Sequence, residues 1–347
     1  MSSTLTLTLT RPDDWHLHFR DGPQLQGTVP ATARVFRRAI VMPNLTPPVT
    51  TAERARSYRE RILAAVPAGV GFEPLMVIYL TDVTTAADIA EAAASGIVYG
   101  AKLYPAGATT NSDSGVRDPS AIYHLYEALE KHDLPLLLHG EVTESEIDIF
   151  DREKAFIDRY LADIRQTFPA LRIVFEHVTT KDGIEFVQSQ SRLTAATVTP
   201  QHLMMNRNDL LAGGIRPHNY CLPVLKRREH QLAIQQAVLS GDARFFLGTD
   251  SAPHAQNKKE AACGCAGCYS APAALPLYAM FFEQHSALDK LEAFASFHGP
   301  DFYRLPRNTE SVTLVKESWV IPKHVDVGGL VMVPWQAGVE VSWQIKA

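Results

Sequence analysis

The sequence predicts an α/β fold, a (β/α)8 TIM barrel. Eight short apolar runs alternate along the chain with longer amphipathic stretches. Most of these runs are continuously apolar, which is typical of parallel strands buried on both faces. A doubly wound open sheet is the competing fold, but no glycine-rich phosphate loop follows an early run, as would be expected there. The length of 347 residues suits one barrel with insertions.

The predicted strands are rich in Val, Ile, Leu and aromatic residues. In chain order they are Asp14–Phe19, Ala39–Met42, Leu75–Leu80, Val98–Leu103, Pro135–Leu138, Arg172–Phe175, Leu193–Val198 and Arg244–Leu247. The stretches between them are amphipathic, as expected of helices packed on the outside of a barrel. They include Thr51–Ala65, Thr85–Ser95, Ala121–His132, Phe150–Thr167 and Glu229–Leu239.

The chain after about Pro306 does not continue the alternation. Val312–Val315 and Val339–Ile345 have the composition of strands. We therefore expect residues 1–347 to form a single domain, with a barrel core at about 12–305 and a small C-terminal appendage at about 306–347.

The composition argues against several classes of protein. A formal net charge of −5 disfavours a nucleic-acid surface, although one well-placed Arg would still bind a small anion. No stretch approaches the ~18 apolar residues that span a membrane, and Met1–Leu5 lacks the features of a targeting signal. Three of the four cysteines lie within six residues, unlike a disulfide framework. A cytoplasmic location is the simplest expectation.

Residues of metal-binding or titratable type end five of the eight predicted strands. They are His16 and His18, Lys102, His139, His177 and Asp250. In a barrel these ends converge on the face where barrel enzymes place their chemistry. Residues two apart on a strand point the same way, so His16 and His18 can reach one ion. A His-x-His pair alone is common, but together the set indicates a metal site that suits zinc or another divalent transition metal.

Lys102 and Asp250 each have an ordinary alternative. A strand-end lysine usually extends its ammonium to solvent, and an Asp at that place often caps the next helix. A protonated Lys102 would be repelled by metal ions, whereas a neutral amine that has captured carbon dioxide becomes a carbamate able to bridge two of them. Asp250 ends the last strand, beside the first strand and its histidines, which favours a ligand and proton carrier.

With these residues in place, the sequence resembles the amidohydrolase superfamily, and closely resembles its stand-alone bacterial dihydroorotases. The segments that carry the resemblance span most of the chain and are His16–Asp21, Val41–Asn44, Ala101–Pro105, Leu138–Glu141, Phe175–His177, Thr199–His202 and Gly248–His254. The resemblance implies a barrel of the metal-dependent hydrolase type. It also implies two Zn²⁺ per chain, bridged by N6-carboxylysine at Lys102. One zinc is completed by His16, His18 and Asp250, and the other by His139 and His177.

The resemblance further implies reversible hydrolysis of (S)-dihydroorotate to N-carbamoyl-L-aspartate in de novo pyrimidine (UMP) biosynthesis. A metal-bridging hydroxide attacks the ring, and Asp250 is the general base and acid. The implied substrate-binding residues are Arg20, Asn44, Leu222, His254 and Ala266. Thr109 and Thr110 belong to an implied lid, and a homodimer is expected.

Several interpretations remain open. Arg20 beside Asp21 is also consistent with a surface charge pair, and Pro105–Gly115 with a plain surface connection. Cys263, Cys265 and Cys268 are either free thiols or, with Cys221, a structural metal site. Two rival functions are another cyclic-amide hydrolase, such as a hydantoinase, dihydropyrimidinase or allantoinase, and a catalytically silent barrel that binds a transcarbamoylase. Arg20 and Asn44, which would bind a substrate carboxylate, disfavour the first rival, because its substrates mostly lack that group. The complete set of metal-type residues disfavours the second.

Overall fold

The computed structural model describes residues 5–346. The prediction that no targeting signal is present rests on residues 1–5, of which residues 1–4 lie outside the described part. Within the described part, no helix combines the length and apolar character needed to cross a membrane.

Eight parallel strands form the barrel, which confirms the predicted fold class. They follow a first strand, β1 (Thr6–Thr10), that lies outside the barrel, and each pairs with its sequence neighbour. The barrel strands are β2 (Asp14–Leu17), β3 (Arg38–Val41), β4 (Glu73–Tyr79), β5 (Val98–Leu103), β6 (Leu136–Leu138), β7 (Ile173–Phe175), β8 (Thr194–Val198) and β9 (Phe245–Leu247). The last strand returns to the first barrel strand just beyond the regular ladder. There Asp250 N donates to His16 O (2.7 Å) and His18 N donates to Ser251 O (2.9 Å).

Helices cover the outside of the barrel. They are α1 (Leu25–Ala33), α2 (Ala52–Ala64), α3 (Ala86–Ala94), α4 (Tyr123–Lys131), α5 (Arg152–Phe156), α6 (Ala162–Thr167), α7 (Lys181–Ser189), α8 (Pro200–Met204), α9 (Arg207–Leu211), α10 (Arg228–Ser240), α11 (Gln256–Lys259), α12 (Ala274–Gln284), α13 (Leu288–Glu292) and α14 (His298–Tyr303). A π-helical turn, Ile157–Leu161, joins α5 to α6. Threonine side chains cap several N-termini; Thr51, for example, accepts a hydrogen bond from Arg54 N.

Apolar side chains form one layer on each side of the barrel wall. The inner layer fills the barrel itself and includes Trp15, Ile40, Val77, Leu137, Val174 and Phe246. The outer layer lies between strands and helices and is much larger. Because the interior is packed rather than open, the barrel leaves room for a ligand only at its ends.

Outside the barrel, strand β1 forms an antiparallel sheet with β10 (Ser311–Val315) and β15 (Gln344–Ile345). Two short antiparallel pairs join β11 (Trp319–Val320) to β14 (Glu340–Val341), and β12 (Val325–Val327) to β13 (Leu330–Met332). The strand predicted at Val339–Ile345 is therefore divided between two sheets. Trp343 lies at the break, where its fully buried ring enters the outer core and its Nε1 donates to Glu283 Oε2 (3.1 Å).

Candidate active site

The six residues that the sequence predicts as metal ligands meet at the carboxyl ends of the barrel strands. His16 and Lys102 lie within β2 and β5, and the others closely follow a strand. The imidazole centroids of His16 and His18 are 5.4 Å apart. Those of His16 and His177 are 5.0 Å apart, and those of His139 and His177 are 4.8 Å apart. All six side chains are buried or nearly so.

Asp250 faces two imidazoles through one oxygen atom. Its Oδ1 lies 3.3 Å from His16 Nε2 and 3.2 Å from His18 Nε2. Burial raises the pKa of Asp250, but both imidazoles lower it more, so the pKa is well below its ordinary value. These three residues bring ligand atoms close enough to share one cation.

The second pair of imidazoles has nitrogen atoms without protein partners. His139 Nε2 donates to Glu141 Oε2 (2.9 Å), which leaves His139 Nδ1 buried and without a hydrogen bond among the described residues. His177 Nδ1 is likewise buried and unbonded there. Burial lowers the pKa of both rings, which favours the neutral form that binds metals. Such unsatisfied nitrogen atoms fit a second cation.

Lys102 does not extend to solvent, because its side chain is fully buried. Its Nζ contacts the Glu176 carboxylate and lies 4.9 Å from the centre of the Tyr104 ring. Burial lowers the pKa of Lys102 well below its ordinary value. The snorkelling alternative is therefore wrong, and the amine lies within the cluster of imidazoles.

Three of the eight described non-glycine residues with a positive φ lie at this site. Arg20, His177 and Asp250 have φ angles of 64°, 42° and 45°, a left-handed region that non-glycine residues rarely adopt. Gly248 lets the end of β9 approach the first barrel strand, because a Cβ there would lie 2.7 Å from Thr197 Cβ and 3.1 Å from His16 Cβ. The backbone is held in an unfavourable shape where the candidate ligands converge.

Arg20 lies at the mouth of the cavity above the imidazoles and has no carboxylate partner in residues 5–346. Its Nε donates to Pro253 O (3.1 Å). Asp21 instead pairs with Arg61, whose Nη2 lies 2.7 Å from Asp21 Oδ2. The interpretation of Arg20 and Asp21 as a charge pair is therefore wrong, and Arg20 is available to an anionic ligand.

His254 contacts two of the residues that line the cavity, Arg20 and Ala266. Its Nε2 lies 2.8 Å from Arg20 Nη2 and 2.9 Å from Ala266 O. One nitrogen cannot both accept from a guanidinium and donate to a carbonyl, so only one of these two contacts is a hydrogen bond in a given tautomer. Burial, followed by the charge of Arg20, lowers the pKa of His254 to about 2, and the ring is neutral.

The remaining predicted substrate and lid residues, Asn44, Leu222, Ala266, Thr109 and Thr110, line the same cavity. Asn44 Nδ2 donates to Thr110 O (2.9 Å), and Thr110 Oγ1 donates to Ala266 O (3.3 Å). The segment after β5 thus reaches across the cavity to the opposite wall. The interpretation of Pro105–Gly115 as a plain surface connection does not account for these contacts.

The sequence pattern gives no role to three further residues at the site, Glu141, Glu176 and Lys259. Glu141 contacts His139, and Glu176 contacts both Lys102 and His16, with Glu176 Oε1 3.1 Å from His16 Nδ1. Carboxylates that hold the outer nitrogen of an imidazole commonly orient it toward a metal. Lys259 is also buried, and its Nζ donates to three backbone carbonyls, including Cys265 O and Gly267 O (both 2.8 Å), which fixes the loop that carries Ala266.

The cysteines do not form a metal site in the described part of the chain. Cys221 and Cys268 are buried and Cys263 is exposed, and all four thiols are free. Cys263 Sγ lies 3.7 Å from Cys265 Sγ. Among the described residues, the two groups whose ligand atoms lie close enough to share an ion are His16, His18 and Asp250, and His16, Glu176 and His177. Both groups lie at the barrel mouth.

A parallel barrel with imidazole and carboxylate ligands at the carboxyl ends of its strands defines a class of metal-dependent hydrolases. The sequence profile of the amidohydrolase family matches residues 5–323, and the chain belongs to this family of enzymes.

Within the family, the chain is similar to dihydroorotases. The chain is 70% identical to the dihydroorotase of Alcanivorax borkumensis over 342 residues, which cover 99% of both chains. Its structure matches the dihydroorotase of Campylobacter jejuni with a TM-score of 0.91 and 34% identity, covering 100% of this chain and 99% of the other. It also matches the dihydroorotase of Saccharomyces cerevisiae in complex with 5-fluoroorotic acid, with a TM-score of 0.89, 34% identity and 98% coverage of both chains.

Proposed function

We propose that the protein catalyses the reversible, zinc-dependent hydrolysis of (S)-dihydroorotate to N-carbamoyl-L-aspartate in pyrimidine biosynthesis. The observation that carries the proposal is Arg20, a cation without a carboxylate partner among the described residues, at the mouth of a cavity lined by the imidazoles. Dihydroorotate carries a ring carboxylate, whereas typical substrates of hydantoinases and related enzymes lack one. The kinship with dihydroorotases supports the same substrate.

In this proposal the substrate carboxylate binds at the mouth and the ring amide points inward. The Arg20 guanidinium offers a planar pair of donors to the carboxylate. Asn44 Nδ2 has a second hydrogen beyond the one donated to Thr110 O, and this hydrogen is available to the ligand. His254 provides the third contact, and backbone groups of Leu222 and Ala266 face the ring. This orientation presents the ring carbonyl to the imidazoles.

The chemistry of the donor set fits two divalent cations. His16, His18 and Asp250, whose ligand atoms lie close together, would hold one ion. His139 and His177, each with a buried Nδ1 that has no partner among the described residues, would hold the other. A carbamate on Lys102 would contribute to both. When bound, the ions supply Lewis-acid polarisation of the carbonyl and a water with a lowered pKa. The full burial of Lys102, together with its lowered pKa, supports a neutral amine that can form a carbamate.

Proton transfer is assigned to Asp250. Its Oδ1 is held by two imidazoles, and no described residue donates a hydrogen bond to its Oδ2. The free oxygen accepts a proton from the attacking water and returns it to the leaving ring nitrogen. In the biosynthetic direction Asp250 begins protonated and acts as the acid.

An assay of substrate selectivity tests the proposal. The purified protein, incubated with zinc, should open dihydroorotate and cyclise N-carbamoyl-L-aspartate, both followed by the ultraviolet absorbance of dihydroorotate. Dihydrouracil, hydantoin and allantoin should be poor substrates, because they give Arg20 no carboxylate. Efficient hydrolysis of dihydrouracil with no turnover of dihydroorotate would transfer the assignment to another cyclic-amide hydrolase. We also propose a cytoplasmic homodimer, and light scattering of the purified protein would test the dimer.

A further inference from the structure

The segment that follows β5 and precedes the 3-10 turn Pro119–Ile122, here called the lid (residues 105–116), is held together by its own hydrogen bonds. Thr109 N donates to Ser112 Oγ (2.8 Å), and Ser112 Oγ donates to Thr109 O (2.6 Å). At its base, Ala106 N donates to Val116 O (3.0 Å) and Val116 N donates to Tyr104 O (2.9 Å). The Ser112 side chain is fully buried. The lid is therefore a preformed compact loop rather than a flexible strap.

The tip of the lid is joined to the barrel by a reciprocal pair of hydrogen bonds with one residue. Asn44 Nδ2 donates to Thr110 O (2.9 Å), and Asn111 Nδ2 donates to Asn44 O (3.0 Å). Tyr79 Oη adds a longer contact to Asn111 O (3.4 Å). Two consecutive lid residues thus bind the side chain and the backbone of the same barrel residue.

Asn44 also contacts the candidate metal site. It is buried, and its Oδ1 accepts a hydrogen bond from His18 Nδ1 (2.8 Å). With the lid shut, the amide nitrogen faces Thr110 O and the amide oxygen faces His18, so both ends of the amide are satisfied. The opposite amide orientation would place a carbonyl against a carbonyl. Lid closure and the position of His18 therefore depend on the same side chain.

The backbone of Asn111 favours this contact. Its φ of 56° is left-handed, a conformation that Asn and Gly adopt more readily than other residues. The residue is exposed, so burial in a core does not explain its position. Within residues 5–346, the hydrogen bond to Asn44 O is the one that the Asn111 side chain makes.

We propose that Asn111 is a positioning residue whose amide, with Asn44, forms a catch that keeps the lid closed over substrate and holds Asn44 in register with His18. The proposal rests on the proposed function only in taking residues 105–116 as a substrate lid. It assigns no chemical step to Asn111. Its consequence is that loss of the catch opens the lid without disturbing the barrel.

Asn111→Gly is the direct test, because glycine accepts the left-handed backbone and lacks the amide, while the flexibility that it adds is matched by the control below. Hydrogen–deuterium exchange by mass spectrometry, on the protein without substrate, should show lid amides exchanging roughly two- to tenfold faster, the effect of one lost hydrogen bond. Exchange in β3, β5 and β6 should be unchanged. With dihydroorotate, kcat should fall by a similar factor while KM changes less, because Arg20 still binds the carboxylate.

Asp113→Gly is the matched control. Asp113 is exposed, lies in the same lid and has no hydrogen bond to Asn44, so this variant adds the same glycine flexibility without removing the catch. Its lid exchange and kcat should stay near those of the unaltered protein. Equal lid exchange in Asn111→Gly, Asp113→Gly and the unaltered protein would overturn the proposal. If Asn111→Gly shows the faster lid exchange but the unaltered protein does not turn over dihydroorotate, the proposed role of Asn111 stands and the proposed substrate is wrong.

Discussion

At the level of single residues, Arg20 is the clearest test of substrate binding. We expect Arg20→Met to lower kcat/KM for dihydroorotate about 10- to 150-fold, because a hydrogen bond to a charged group contributes roughly 1.5–3 kcal/mol. Thermal stability should change little. Steady-state kinetics and thermal melts measure both effects. Arg61→Met is the matched control, because it removes an arginine from an exposed ion pair with Asp21 and should leave kinetics unaltered.

Asp250 is the residue whose replacement tests proton transfer. Asp250→Asn should abolish turnover in both directions, since an amide cannot accept and return the proton. It should also weaken one metal ion. Activity measured alongside metal content separates the two effects, and Asp21→Asn provides an exposed carboxylate as control. Substantial activity in a metal-replete Asp250→Asn variant would assign the proton to another group.

Lys102 gives a third residue-scale prediction. Lys102→Ala should lose most of its metal and nearly all activity, because the bridging carboxylate is missing. Acetate or propionate, added at high concentration with zinc, should enter the space and restore part of the activity. Added acid should not rescue Lys102→Arg, because the larger arginine side chain occupies that space and keeps its positive charge. Two metals and full activity in Lys102→Ala without added acid would contradict the carbamate.

The candidate ligands were predictable from sequence because a polar residue at the end of an apolar strand is conspicuous. Their supporting carboxylates were not. Glu141 and Glu176 lie close to histidines in the chain, but their contacts with His139, Lys102 and His16 depend on side-chain directions that spacing does not determine. The choice of Arg61 rather than Arg20 as partner of Asp21 likewise depends on where α2 lies.

At the level of elements, the lid supplies two residues, Thr109 and Thr110, to the wall of the cavity. Replacing Thr109 and Thr110 together by Val should lower kcat more than it lowers thermal stability, because both residues line the cavity and lie outside the barrel core. The matched control is a double Ala substitution at Asp113 and Ser114, which are exposed in the same lid. If the kinetics of the Val variant equal those of the control, the segment is a plain surface connection and not a lid.

Strand and helix bounds were predictable to within about one to three residues where the periodic pattern was strong. The predicted run at Val98–Leu103 matches β5, and Thr51–Ala65 encloses α2 with Thr51 as its cap. Helix α1 is not among the helical stretches named from the sequence, and Gly27 and Pro30 interrupt its pattern. The break in the C-terminal strand was missed because it depends on the burial of Trp343 against the outer core.

For the whole molecule, the number of bound metal ions tests the two-metal proposal. Elemental analysis of active protein should give two divalent ions per chain, since the candidate ligands exceed those of one tetrahedral site. Removing the ions with a chelator should lower the melting temperature as well as the activity, because ions that bind only the folded state stabilise it. Zinc should restore both. Full activity with one ion or none would contradict the two-metal proposal.

The pairing of β1 with β10 has a consequence for synthesis of the chain. Thr8 and Thr313, which face each other in this sheet, are separated by 305 residues. At roughly 5–20 residues per second, a ribosome needs about 15–60 s to make the intervening polypeptide. During that time the alternating Thr-Leu segment has no partner strand with which to pair, and an unpaired strand edge is a site at which chains associate wrongly. A nascent chain that stalls before residue 311 would leave that edge without its partner.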